Sequence, residues 1–346
     1  MKNKSLVWNR AFDLKTVYKN CSRKLTGREV LVEIKATGIC GTDLAIIAGR
    51  YPAAKTGVTI GHESAGVVVA IGPQVNTTRV GARVFINPTY YCTDCLYCRT
   101  NRSNHCSEKI YTESGVSKDG TFAKYYVTDQ RFLYEMNDGI SFAEASLAEP
   151  LSCVLTAFNQ LNNIWNDARI ILFGGGPIGL LFAHVLALKG LRGSIIEVSK
   201  ARVKLIEQVK PGHWQVFSSL IHMLDQSHVS EFDLIIDTSS RMLETGLQKL
   251  ARGGEVLLIG LGDEVAKVNQ MQLVDKSQRI IGSIDSIGTF NSACDMINKK
   301  RIPAAKLITH QFNIQDFVKA FAKVGLDLVN KEMTSHLSAI KVILTQ

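Results

Sequence analysis

No apolar run in the 346-residue chain approaches the roughly 20 residues that a membrane-spanning helix needs. The first ten residues, Met1 to Arg10, lack the apolar core of a secretory signal, so a cytoplasmic protein with no membrane partner is expected. Internal repeats, low-complexity tracts and long linkers are also missing. The formal charge of +9 suggests nucleic acid, but no dense Lys/Arg block with interleaved aromatics accompanies it. The charge sits at the two ends: residues 1–35 carry +6, residues 289–346 carry +4, and the middle nets −1. That distribution reads as a basic solvated surface, which would also attract an anionic substrate such as a sugar phosphate. What remains is the composition of a globular protein, 46% hydrophobic and 21% charged, with length enough for two cores.

Eight cysteines are present, at 21, 40, 92, 95, 98, 106, 153 and 294. Four of them fall within fifteen residues as C-x2-C-x2-C-x7-C, from Cys92 through Cys95 and Cys98 to Cys106. Without a secretory signal, this pattern indicates metal thiolates in a reducing compartment rather than a disulfide framework. Four thiolates close a tetrahedron around Zn²⁺ and leave no open position, which makes the site structural. His105 is expected to be a bystander, and no second motif supports an iron–sulfur cluster. A zinc-ribbon nucleic-acid binder is the reading from another functional class, yet residues 92–118 carry only +1.

A second set of metal-ligand types is dispersed. Gly38-Ile-Cys40-Gly-Thr42-Asp43 is a glycine-rich bend that presents a thiol, a hydroxyl and a carboxylate. Ile60-Gly61-His62-Glu63 is a second such turn, flanked by strand-like runs at Glu29–Ala36 and Ala65–Ile71. A lone Cys or His is more often core filler than a ligand. Here each stands on a glycine-flanked turn followed by an acid, and a catalytic zinc needs three protein ligands and an open fourth position.

At mid-chain, Ile170–Phe173 is a short unbroken apolar run, as in a strand buried on both faces of a parallel sheet. Gly174-Gly-Gly176-Pro177-Ile178-Gly179 follows with G-x-G-x-x-G spacing, then a helical apolar segment to Lys189 with Gly190 as its stop. Such a loop turns tightly, lets the backbone approach a pyrophosphate, and puts phosphates over the helix N-terminus. Eighteen residues beyond Gly179, Glu197 ends a second apolar run, where a dinucleotide fold places the ribose-binding acid. Glu197 would repel a 2′-phosphate, favouring NAD over NADP, while the nearby Lys200 and Arg202 work against that preference.

Taken together, Cys40-Gly-Thr-Asp, Gly61-His-Glu, the four-cysteine lobe, Glu149-Pro150 and the glycine loop resemble the zinc-containing medium-chain dehydrogenase/reductase family, nearest its sorbitol (polyol) dehydrogenase branch. The resemblance runs to the closing Lys341-Val-Ile-Leu344. It implies an α/β protein in which a Rossmann doubly wound parallel-sheet NAD-binding domain, residues 153–288, is inserted into a GroES-like β-rich catalytic domain. The catalytic domain would comprise 1–152 and 289–346, with the structural zinc lobe at 88–112, and the cleft would hold zinc and nicotinamide on opposite walls. Two zinc ions per chain follow, one catalytic and one structural. Cys40, His62 and Glu149 would hold the catalytic ion, with Glu63 beside it as an alternative ligand. Asp43 would orient His62, and Thr42 would pass the substrate proton outward. Gly174, Gly176, Pro177, Ile178, Gly179, Glu197 and Arg202 would bind the cofactor. Cys153 is the rival third ligand.

The implied activity is reversible oxidation of a secondary alcohol of a polyol or sugar alcohol to a ketone, by a homodimer or homotetramer. The alternative is a polyol phosphate or amino-cyclitol as substrate. Threonine is disfavoured, because Glu149-Pro150 is polyol-type and no histidine shortly precedes Cys92. Three departures stand out. Gly282–Gly288 lacks the Arg-Tyr-like pair that contacts substrate in many polyol dehydrogenases, Ala45 replaces a relay histidine of some alcohol dehydrogenases, and 208–217 lacks the usual Gly-Ala-Asp turn.

Overall fold

A computed structural model describes the whole chain except Met1, residues 21–23, Asn163, His228, Asp263, Ile287 and residues 335–336. Cys21, one of the eight cysteines, therefore lies outside the described residues. The chain divides into two compact units, Met1–Ser152 with Ser286–Gln346, and Cys153–Asp285.

The first unit begins with the strands β1 (Lys2–Arg10), β2 (Asp13–Asn20), β3 (Glu29–Gly38), β4 (Val58–Thr59) and β5 (Glu63–Ile71). It continues with β6 (Arg83–Ile86), β7 (Tyr125–Asp129) and β8 (Leu133–Glu135). The second unit holds β9 (Ile170–Phe173), β10 (Gly193–Ile196), β11 (Gln215–Phe217), β12 (Phe232–Asp237), β13 (Leu250–Leu258) and β14 (Arg279–Gly282). The chain then returns to the first unit with β15 (Ile308–Asn313), a short pair β16 (Leu326–Asp327) and β17 (Glu332–Met333), and finally β18 (Lys341–Thr345).

In the first unit a seven-stranded sheet runs β15-β18-β3-β5-β6-β8, with β7 pairing β3. Alternation along β3 and β5 buries Val30, Val32, Ile34 and Val68 together with Val84 and Ile86 of β6. A second core gathers Leu6, Trp8, Ile46, Ile47, Ile60, Phe122, Phe321 and Val342. Register is what matters for chemistry. Gly38 at the end of β3 pairs with Glu63 at the start of antiparallel β5, and with Ile343 of β18 on the other side. The turns that follow Gly38 and precede Glu63 therefore emerge side by side, and these turns carry Cys40 and His62.

The second unit is a six-stranded parallel sheet in the order β11-β10-β9-β12-β13-β14. This is the doubly wound order whose direction reverses beside the first strand, here between β9 and β12. Ile170, Ile171, Leu172 and Phe173 are all buried, as a strand covered on both faces requires. The helix Pro177–Leu188 starts with Pro at its first turn and ends before Gly190, whose φ of +79° suits a residue without Cβ. The α/β class and Rossmann-type sheet expected from the sequence are found.

Two segments differ from expectation. β2 has mostly exposed side chains and little apolar alternation, so its pattern carried no strand signal. The unassigned stretch 208–217 has a packing role: Trp214 is fully buried, donates Nε1–H to Leu191 O at 3.3 Å, and presses on Gly193.

Candidate active site and metal centres

Cys40 is the N-cap of the helix Gly41–Ile47, and Asp43 stands three residues in, at the capping-box position. Asp43 Oδ2 accepts the Cys40 N–H at 2.9 Å, while its Oδ1 accepts the Gly61 N–H at 3.2 Å. The same Oδ1 lies 3.6 Å from His62 Nδ1. One fully buried carboxylate thus ties together both ligand-bearing turns and faces the imidazole. Gly61 adopts φ +92°, and a Cβ there would press into the Phe122 ring, so the turn before His62 admits glycine alone.

The ligating atoms of Cys40, His62 and Glu63 lie within 4.8 Å of one another. Sulfur, imidazole and carboxylate at this spacing match the donor set of a catalytic zinc. Glu149 is outside that set, on the helix Ala148–Phe158, but close enough to His62 for its charge to act on the imidazole. Burial favours neutral His62, yet Asp43, Cys40 and Glu149 outweigh it and hold its pKa well above the usual value. Burial raises the Asp43 carboxyl, partly offset by His62 and the Cys40 N–H. Thr42 Oγ1 is 3.7 Å from Cys40 Sγ, within reach of whatever the sulfur holds. Cys153 joins neither metal-ligand group among the described residues.

Cys92, Cys95, Cys98 and Cys106 form the other group, again with all four sulfurs within 4.8 Å. Backbone N–H groups of Asp94 and Cys95 point at Cys92 Sγ from 3.4 and 3.3 Å, and that of Cys92 at Cys106 Sγ from 3.3 Å. N–H groups of Ser107 and Cys98 draw the Cys95 thiol down to about 6, whereas burial among the sulfurs pushes Cys98 up to about 12. Four crowded thiols cannot all ionise without a cation among them, so the cluster fits zinc. His105 instead stacks edge-on against Tyr97 and contacts Asn104 at 3.3 Å.

In the second unit, Gly174 (φ +96°) turns the chain at the end of β9. A Cβ on Gly179 would overlap the Gly174 carbonyl oxygen, so this glycine is what lets helix and strand close up. Glu197 is buried, with Oε1 accepting the Ser199 N–H at 2.8 Å and Oε2 the Gly175 N–H at 3.2 Å. Arg202 Nη1 stands 3.4 Å from the same Oε2, and Lys200 is exposed. The acid and the arginine thus meet at the glycine loop. Thr238, after β12, donates its hydroxyl to Phe173 O at 2.9 Å and closes the other side of the turn.

Residues 26–138 match the alcohol dehydrogenase GroES-like domain. A sorbitol dehydrogenase from Halalkalibacterium halodurans is 28% identical over 327 residues, 92% of this chain and 91% of that protein. A D-xylulose reductase from Saccharomyces cerevisiae is 29% identical over 332 residues, 91% of this chain and 90% of that protein. Among solved structures, an Escherichia coli CFT073 alcohol dehydrogenase complexed with NADH superposes with a TM-score of 0.87 at 25% identity, covering 100% of this chain and 99% of that one. Over most of its length the chain is thus similar to polyol and alcohol dehydrogenases, as the zinc-containing medium-chain dehydrogenase/reductase resemblance of its motifs implies.

One residue at the site carried no functional signal in the sequence. Lys341 is buried beside Glu63, pairs with its Oε2, and donates to Ile39 O at 3.0 Å. Its only sequence trace is a charged residue opening an otherwise apolar terminal strand.

Proposed function

We propose that the protein is a zinc-dependent NAD(H) dehydrogenase that reversibly oxidises a secondary alcohol of a polyol or sugar alcohol to a ketone. The observation that carries this reading is the convergence of Cys40, His62 and Glu63 on one point, braced by Asp43. A glycine loop of dinucleotide type in the same chain, and relatives named for sorbitol and xylulose, support the cofactor and substrate class.

Bound zinc would supply Lewis acidity toward an alcohol oxygen, and NAD would accept the hydride. Cys40, His62 and Glu149 would hold the metal, with Glu63 beside them. Asp43 Oδ1, 3.6 Å from Nδ1, would orient the imidazole and leave Nε2 for the metal. Thr42 would pass a proton away from the reacting oxygen. Gly174, Gly176, Pro177, Ile178 and Gly179 would cradle the pyrophosphate, and Glu197 with Arg202 would meet the adenosine ribose. Glu197 favours NAD over NADP, and its contact with Arg202 softens that preference.

The basic balance of +9 favours a second substrate reading, a polyol phosphate or amino-cyclitol. A panel of galactitol, ribitol, xylitol, sorbitol, threonine and phosphorylated polyols, assayed with NAD and NADP in parallel, decides between them. Turnover that persists in metal-free protein would overturn the dehydrogenase mechanism. A homodimer or homotetramer is the expected assembly: Val265, Met271 and Val274 lie exposed in the segment preceding the edge strand β14. Sedimentation at micromolar concentration tests it. The thiol clusters suit a reducing, cytoplasmic setting. No helix among the described residues is long and apolar enough to cross a membrane.

A further inference from the structure

A cavity of about 390 Å³ opens within the first unit, between the four-cysteine lobe and the segment that begins at Ser286. None of its lining residues belongs to the Cys40 cluster or to the glycine loop. Asn87, Ser286 and Phe290 are its buried members. The Tyr134 ring lies 5.2 Å from that of Phe290, and Asn87 Oδ1 accepts the Thr89 N–H at 3.0 Å. Ser286 is only 6% exposed, yet its hydroxyl meets no hydrogen-bond partner among the described residues. Buried hydroxyls are nearly always paired, so this one is left for an occupant. Asn101 and Asn291 stand exposed at the rim, with side-chain amides that are likewise unengaged among the described residues. The backbone agrees. Thr93 and Asn101, both lining the cavity, have φ of +72° and +58°, and Thr93 is the one β-branched residue in that region among those described. Such conformations are uncommon and gather at ligand clamps.

The lining chemistry selects the ligand. Apart from the Cys98 sulfur, amides, hydroxyls and rings line the cavity, and no Lys, Arg, Asp or Glu does. An ion entering it would shed water without meeting a countercharge. A wholly apolar molecule would leave the Ser286 hydroxyl unpaired. A neutral polyhydroxyl compound avoids both costs. Each of its hydroxyls donates and accepts, as the asparagine amides and serine hydroxyls do, and its carbon skeleton can lie on the Tyr134 and Phe290 rings. The volume is at the small end of the roughly 300–1,000 Å³ usual for ligand sites, which suits one pentitol or hexitol. We propose that this cavity is a second binding site, apart from the Cys40 centre, for a neutral polyhydroxylated small molecule. Cys98 both lines it and belongs to the four-sulfur cluster, so an occupant covers the lobe's metal site and ties the lobe to Ser286 and Asn291.

The test titrates xylitol into the zinc-loaded full chain without NAD. Two readouts are followed: the backbone amide resonances of Thr93, Asn101 and Asn291, and the rate at which a chelator strips the lobe zinc. Saturable shifts at those amides are expected. With xylitol at about ten times its Kd, stripping of the lobe should slow by up to about tenfold, the limit set by linkage. Both effects persist in Cys40→Ser, which loses a ligand of the other centre. In Ser286→Ala the affinity for xylitol falls by about tenfold, the worth of a hydrogen bond in a buried site. Should Ser286→Ala fold poorly, Asn101→Gly, which keeps the left-handed backbone, replaces it. Inorganic phosphate at the same concentration leaves the three amides unmoved. Shifts that stay linear up to molar xylitol, that vanish in Cys40→Ser, or that survive unchanged in both Ser286→Ala and Asn101→Gly overturn the proposal. Failure of every polyol to reduce NAD would sink the dehydrogenase reading and leave this site standing.

Discussion

The four-cysteine lobe draws every donor from fifteen consecutive residues, whereas the Cys40 cluster gathers its donors from two strand ends set side by side by sheet register. In the lobe, short helices and backbone N–H groups aimed at sulfur define the geometry, and three of the four cysteines are only half-buried. Around Cys40, Asp43, Glu63 and Lys341 are fully enclosed, so each charge must find its counterpart inside the protein. The lobe offers one donor type and no vacancy. The Cys40 cluster mixes sulfur, imidazole and carboxylate, and keeps charged neighbours that can change partners. The first arrangement suits holding an ion, the second using one.

The sharpest way to break this contrast is to remove one sulfur from each cluster. Cys40→Ser, or Glu149→Ala, is expected to cost several kcal/mol of transition-state stabilisation. Turnover then falls by about 10³-fold or more. NADH binding, read by fluorescence enhancement, and the lobe zinc, read by elemental analysis, should both survive. Near-normal turnover in Cys40→Ser would remove the catalytic role from the cluster. Cys95→Ser should do the reverse. One zinc per chain is lost and residues 92–106 become the first point of proteolytic cleavage, while the surviving zinc stays with Cys40 and His62. Equal loss of both metals in either variant would mean that the two clusters are not independent.

Legibility followed the same divide. The lobe and the glycine loop were readable because their donors and turns are contiguous, so spacing alone encodes geometry. Cys40 and His62 were recognisable as glycine-flanked turns, but only the pairing of Gly38 with Glu63 makes them neighbours. Asp43 was read as a partner of His62. That it also caps the Cys40 turn and holds the Gly61 amide needed coordinates. Lys341 lies 302 residues from Ile39, and nothing local in the terminal strand says what its ammonium meets. Trp214 is the opposite case, a residue with no functional reading whose burial against Gly193 explains it.

Smaller changes sharpen the comparison further. Asp43→Asn keeps the shape but loses the charge that faces His62. Zinc affinity at the Cys40 site is expected to fall by about 10- to 100-fold, with the lobe zinc untouched, as chelator competition would show. An equal loss from both clusters would point to general unfolding instead.

The mildest probe is pH. Burial favours neutral His62, but Asp43, Cys40 and Glu149 prevail and hold its pKa well above that of a free imidazole. In the metal-free protein the Asp43–His62 contact therefore stabilises the fold below the unfolded histidine pKa. That contribution is lost as pH rises through the raised folded value. Zinc needs the deprotonated ring, so metal and proton compete, and affinity should climb with pH by up to about tenfold per unit from this one proton. Measured in a zinc buffer from pH 6 to 8 on protein whose four-cysteine lobe is already loaded, the slope belongs to the Cys40 site, and Asp43→Asn should flatten it by letting the imidazole lose its proton sooner. An affinity independent of pH across that range in the unsubstituted protein would take His62 out of the ligand set, and with it the distinction between a site that stores an ion and one that works through it.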